Sequence, residues 1–146
     1  MSQPARLDLG PLPGFVGYML RRAQLLVFDD FIRTMAAIGL RPASFSVLAV
    51  IDANPGSTQS AVSEALGLQR TNLVAIIDSL EERGIAKRTP AKTDRRSHAL
   101  YLTPKGKRLL AKALKMQAEH EQRILSKLGA GDPERLLTLL TRLVES

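Results

Sequence analysis

Apolar residues recur at helical spacing from position 14 to 38, where Phe15, Met19 and Leu26 lead to Phe31, Met35 and Ile38, and Val16, Leu20, Ala23 and Val27 widen the stripe. The pattern predicts a helix whose apolar face is wider than one neighbour covers. Two readings are open: a central core helix, or a helix with a further partner such as a second subunit. Ahead of it, Pro4, Pro11, Pro13 and Gly10 do not sustain a helix and predict an extended arm over 1–13.

Gly39 ends this pattern, and Pro42 suits the first turn of a second helix in which Phe45, Leu48, Ala49 and Ile51 face inward. Asn54, Pro55 and Gly56 make a turn, after which Ser57 or Thr58 caps a short helix reaching Leu66. Ala61 stands where a capping box would place Glu, so only half of that start signal is present. Gly67 breaks the pattern and Leu68 buries the turn. Leu73, Ile76, Ile77 and Leu80 then mark one face of a helix over 69–83, closed by Gly84.

Residues 86–90 and 97–102 predict two short strands, the second with Leu100 and Leu102 on one face and Tyr101 on the other. The polar segment 91–96 joins them into a hairpin, or wing, over 86–102. Thr103 and Pro104 start a long helix that carries Leu109, Leu110, Ala113, Leu114, His120, Ile124 and Leu128 and stops at 129–131. Asp132 and Pro133 open a last helix with Leu136, Leu137, Leu139, Leu140, Leu143 and Val144. The expected fold is mainly α with a small β-hairpin: a winged helix-turn-helix part over 42–103, flanked by helices at 14–38 and 104–146. The leucines at the end need cover and the first helix has apolar surface to spare, so the two ends are expected to build a joint dimerisation region in a homodimer.

Charge separates the middle of the chain from its ends. Residues 69–112 hold eleven Lys and Arg against four acids, and the rest of the chain is balanced, so the whole net charge of +7 sits there. A positive field focused in this way selects a polyanionic partner, and double-stranded DNA fits a helix-turn-helix. At 146 residues and 45% apolar the chain is long enough for one core, and its composition argues against general disorder. With no run of about 18 apolar residues and no basic region before an apolar one near the start, neither a membrane span nor a secretory signal is expected, and a cytoplasmic location is the default. The absence of Cys excludes disulfides and thiolate metal sites, and two isolated histidines lack metal spacing. No nucleophile and base constellation, phosphate-cradling glycine loop or carboxylate cluster points to an enzyme or a cofactor.

A helix entering a major groove by its N-terminus puts Gln69, Arg70, Thr71 and Asn72 nearest the base edges, with Val74 and Ala75 available to thymine methyl groups. Arg70 suits guanine and Asn72 adenine; the alternative for Thr71 and Asn72 is helix-start capping without base contact. At the hairpin tip, Arg95 and Arg96 suit a minor groove, unless the tip is only a solvated charged loop. Lys87, Arg88, Lys92 and Lys105 are placed for phosphates, which set affinity and salt dependence without choosing sequence.

This element order, with LGLQRTNLVAIIDSLEERGIAKR at 66–88 and TDRRSHALYLTPKG at 93–106, resembles the multiple-antibiotic-resistance regulator family of transcription factors across nearly the whole chain. The resemblance implies a triangular homodimer with two winged modules on DNA, and commonly a small-molecule inducer bound between dimerisation and DNA-binding parts. It also implies that Asp94 orients Arg96, a pairing two residues apart that this chain matches. Gln69 departs from the Ser or Asp common there. The opening LDLGPLPGFVGYMLRRAQLLVFDDF is similar to the subgroup that controls aromatic-acid breakdown and senses hydroxycinnamoyl-type coenzyme A thioesters. Effector candidates are Phe15, Tyr18, Met19, Arg21, Arg22, Phe28, Phe45, Met116 and His120. An anionic ligand would suit Arg21 or Arg22; the simpler alternative pairs them with Asp29, Asp30 or an acid of the partner chain. The expected function is a ligand-responsive repressor; the alternative is an architectural DNA binder without an inducer.

Overall fold

The computed structural model describes residues 6–92 and 97–145. Its elements are α1 Val16–Met35, α2 Pro42–Ala53, β1 Ser57–Thr58, α3 Gln59–Leu66, α4 Arg70–Glu82, β2 Ala86–Pro90, β3 His98–Leu102, α5 Pro104–Leu125 and α6 Asp132–Val144. The fold is mainly helical with a small antiparallel sheet, as the periodicities imply.

The sheet is larger than a hairpin. β3 lies between β2 and β1, with Leu100 opposite Arg88 on one side and Ser57 on the other. β1 is two residues long and carries no visible alternation, which is why it reads as a helix cap in sequence. Thr58 does both jobs: its backbone pairs with Ala99, and its hydroxyl accepts from the Ala61 N–H at 3.2 Å to start α3. Thr103 starts α5 in the same way, accepting from the Gly106 N–H at 3.0 Å. Its hydroxyl also lies 2.6 Å from the Gly84 carbonyl, to which it can donate. Gly106 is required, because a Cβ there would run into the Ile85 carbonyl and α5 could not start so close to the entry of β2.

Some other boundaries move by a few residues, while α6 starts at Asp132 as expected. Leu12–Gly14 forms a 3-10 turn where an extended arm is expected, since Pro11 takes a helical ψ of −7°. α1 begins at Val16 and tightens after Met35 into the 3-10 turn Ala36–Ile38, closed by Gly39 at φ 63°. α5 stops at Leu125 rather than Leu128.

Met35, Leu48, Ile51, Leu73, Ile77, Leu80, Ile85 and Leu100 are fully buried, so the core draws on every layer from the end of α1 to the sheet. Leu110 and Ala113 add α5 to it. In α2 the inward positions are Val47, Leu48 and Ile51, while Phe45 and Ala49 are only half-buried. α1 divides in two: Phe31 and Met35 are in the core, whereas Val16, Met19, Leu20, Leu25 and Leu26 are exposed. α6 buries no residue.

A polar tie joins α1 to α5. His120 is only 2% exposed, and its Nδ1 lies 2.7 Å from Asp30 Oδ1, which also accepts from Arg123 at 2.9 Å. The Arg123 guanidinium, and then the His120 ring, hold the Asp30 carboxyl well below the usual carboxylate range. An ionised carboxylate only accepts, so Nδ1 carries the hydrogen and the ring orientation is set. No single described helix is long and apolar enough to cross a membrane.

Candidate nucleic-acid interface

α4 presents its first turn to solvent. Gln69 sits before the helix with extended backbone and makes no capping bond with its side chain. Arg70, Thr71, Asn72 and Ala75 are exposed and Val74 is half-buried, while Leu73, Ile77 and Leu80 hold the opposite face in the core. The apolar spacing thus leaves the expected base-reading residues together on one outward surface. Arg70 reaches back to the Ser60 hydroxyl on α3. Together with Thr58, Gln59, Ser97 and His98 they line a polar pocket of about 300 Å³ between α3, α4 and the sheet.

The bases of the wing divide by their partners. Lys87 and Lys92 are exposed, the Lys87 ammonium 5.7 Å from the centre of the Tyr101 ring. Arg88 differs: its guanidinium is bonded to Asp78 and Glu81 of α4 and, at 3.2 Å, to the Gln59 amide oxygen. Burial pushes its pKa down, and the Asp78 and Glu81 carboxylates outweigh this and raise it. Arg88, expected at a phosphate, is thus held by three acceptors of the chain as a brace between sheet and α4. Lys105 also has an internal partner, donating to the Arg83 carbonyl at 2.8 Å. Asp94, Arg95 and Arg96 lie outside the described residues.

The effector candidates do not form one group. Phe15 and Met19 line an apolar groove of about 440 Å³ with Leu20, Ala23 and Leu136 of α6. Arg22 lines another, of about 570 Å³, with Arg6, Leu7 and Leu9. His120 faces a third cavity of about 360 Å³, enclosed by Val27 of α1, Ile124 and Leu125 of α5, and Leu136, Leu137 and Leu140 of α6. Tyr18 is half-buried and Phe28 exposed. Phe45 stacks edge-on against Phe31 at 5.6 Å, and Met116 packs on the core, so both have ordinary packing roles. The simpler pairing proposed for Arg21 and Arg22 within the chain is corrected: Asp29 is bound to Arg33 at 2.8 Å, and Asp30 to His120 and Arg123.

The sequence profile of the MarR family matches residues 38–97. A relative from Thauera aromatica, described as a transcriptional regulatory protein for the hcr operon, is 35% identical over 148 residues, covering 97% of this chain and 89% of the relative. The chain belongs to the MarR family. Among solved structures, the transcriptional repressor CouR bound to a 23-mer DNA duplex superposes with a TM-score of 0.91 at 45% identity, over 96% of this chain and 99% of that one. CouR bound to p-coumaroyl-CoA gives 0.86 at 44% identity, over 95% and 98%. These MarR-family relatives are transcriptional regulators, not enzymes.

Within this MarR-family chain, sequence reasoning overlooked two sets of residues. Asp30, Thr34, His120 and Arg123 form one hydrogen-bonded set whose members stand some 90 positions apart, so only the i, i+4 pair Asp30 and Thr34 could be seen locally. Arg83 is the other; it counts in the charge total but points away from the DNA-reading turn, toward the end of α1.

Proposed function

We propose that the chain is a homodimeric repressor that holds an inverted-repeat operator in the cytoplasm and releases it when an aryl-CoA thioester binds. The observation that carries the reading is the likeness, over almost the whole chain, to CouR in both its DNA-bound and its p-coumaroyl-CoA-bound structures. The first turn of α4 enters the major groove, where Gln69, Arg70, Thr71 and Asn72 meet base edges and Val74 and Ala75 meet thymine methyl groups. Arg95 and Arg96 reach the minor groove with Asp94 orienting Arg96, and Lys87 and Lys92 neutralise phosphates.

The exposed apolar lengths of α1 and of α6 supply the dimer contact. Two copies then read half-sites about one helical turn, roughly 34–36 Å, apart, and a bound dimer occludes a promoter. The aromatic end of the effector suits the groove of Phe15, Met19 and Leu136, and its anionic groups suit Arg21 and Arg22, whose neighbouring acids are already paired. The effector shifts the equilibrium only by its different affinity for the DNA-competent and displaced arrangements.

Mobility-shift titration with DNA from the chain's own promoter region tests this. p-Coumaroyl-CoA should release the DNA and free p-coumarate should not. Release by neither, with discrimination against random DNA below about 10³-fold, would instead favour an architectural binder.

A further inference from the structure

We infer that Arg83 is the positioning residue that ties the DNA-reading helix α4 to the 3-10 turn continuing α1, so that displacement of α1 is passed through that turn to the base-reading turn. This rests on the regulator reading above, but on a junction that the reading does not use. α4 ends at Glu82, and the next side chain leaves its last turn toward the end of α1. Arg83 Nη2 donates to the Ile38 carbonyl at 2.8 Å and Nη1 to the Gly39 carbonyl at 2.9 Å.

A planar guanidinium bonded to two successive carbonyls fixes direction as well as distance, which one ammonium does not. Gly39, at φ 63°, turns the chain at this point, and a Cβ on it would stand 3.4 Å from Arg83 Nη2. Arg83 thus packs against the turn at Gly39, whose left-handed φ suits glycine. A third helix joins it, since Lys105 in the first turn of α5 donates to the Arg83 carbonyl at 2.8 Å. The 3-10 turn after α1, the end of α4 and the start of α5 meet at one residue.

The placement gives the junction leverage. α1 is held at its C-terminal half by Phe31 and Met35 in the core and by the Asp30 tie to α5, whereas apolar residues of its first half, among them Val16, Met19, Leu20, Leu25 and Leu26, are exposed. α4 carries Arg83 just beyond one end and Arg70, Thr71 and Asn72 at the other. Packing against Leu73, Ile77 and Leu80 resists a push on α4, whereas the paired hydrogen bonds also carry a pull and a rotation. Arg88 is bonded instead to Asp78, Glu81 and Gln59 and braces α4 to the sheet.

The test uses Arg83→Gln and Arg83→Lys in the full-length protein, with DNA from its own promoter region and p-coumaroyl-CoA as probes. Both variants should remain dimers and bind p-coumaroyl-CoA as the unmodified protein does. The factor by which saturating p-coumaroyl-CoA weakens DNA binding, typically about 5–150-fold for such couplings, should fall below about twofold in Arg83→Gln, with Arg83→Lys between. An unchanged factor in both variants overturns the inference. A second readout needs no effector: DNA binding should slow amide exchange at residues 36–40 in the unmodified protein and not in Arg83→Gln, and equal slowing in both overturns it as well. If p-coumaroyl-CoA leaves the unmodified protein on DNA, the effector class proposed above is wrong, and Arg83 is judged on the exchange readout alone. Should Arg83→Gln fail to fold, Arg83→Lys carries both readouts.

Discussion

α4 and α6 are both thirteen residues long and both amphipathic, yet they stand in opposite situations. α4 lays Leu73, Ile77 and Leu80 into the core and shows its polar side to solvent. α6 leaves Leu136, Leu137, Leu139, Leu143 and Val144 exposed and buries nothing. The helical pattern is the same, so the difference lies in what faces each helix. Cover for α4 is supplied by the same chain and is independent of concentration. Cover for α6, on the proposed homodimer, comes from a second copy and obeys mass action.

Five outcomes follow from that contrast. Leu73→Ala removes a fully buried side chain and should cost about 2–5 kcal/mol in urea unfolding; a loss near zero would mean that α4 is not anchored as described. Leu137→Asp puts a charge on the open face of α6. It should weaken the dimer by at least about 2 kcal/mol, seen by sedimentation, with the helical circular-dichroism signal retained. An intact dimer at all concentrations would remove α6 from the interface.

Arg88→Met takes the brace from Asp78 and Glu81. Between the values for exposed and buried pairs, a loss of about 1–2 kcal/mol is expected, with the salt slope of DNA binding unchanged. Lys87→Ala should instead lower that slope by about 0.9 and leave stability alone. The smallest effect concerns Asp30. Its folded pKa is depressed below the ordinary 3.8, so its contribution is present above that value and lost as pH falls below it toward the folded pKa. Acid unfolding followed by helical signal should therefore lose part of its dependence below about pH 4 in Asp30→Asn, and an unaltered acid limb would show that the α1–α5 tie does not report on folding.

Much of the fold was legible because its signals are local. The spacing of Leu73, Ile77 and Leu80 sets the face of α4 and thereby leaves Arg70, Thr71 and Asn72 outward. Thr103 caps α5 as its position before Pro104 implies. β1 is not legible because two residues have no period and Thr58 reads equally as a cap. In the candidate site, Lys87, Arg88 and Lys92 are alike in sequence, and nothing near them distinguishes the one that is bonded inward. The pairing of Asp29 with Arg33 lies within one helix and is visible at i, i+4. That of Asp30 with Arg123 spans 93 positions and is not.

The sequence by itself determined the helical periods, the caps and the concentration of positive charge in 69–112, because each depends on residues a few positions apart or on composition alone. Only the tertiary structure decided which charges remain free for a partner. A hydrogen bond or ion pair acts over a few ångströms between atoms whose chain positions say little about their distance. Arg88 is therefore withdrawn into α4, Arg83 is directed to the end of α1, and Arg70 is left beside Ser60 at the exposed start of α4.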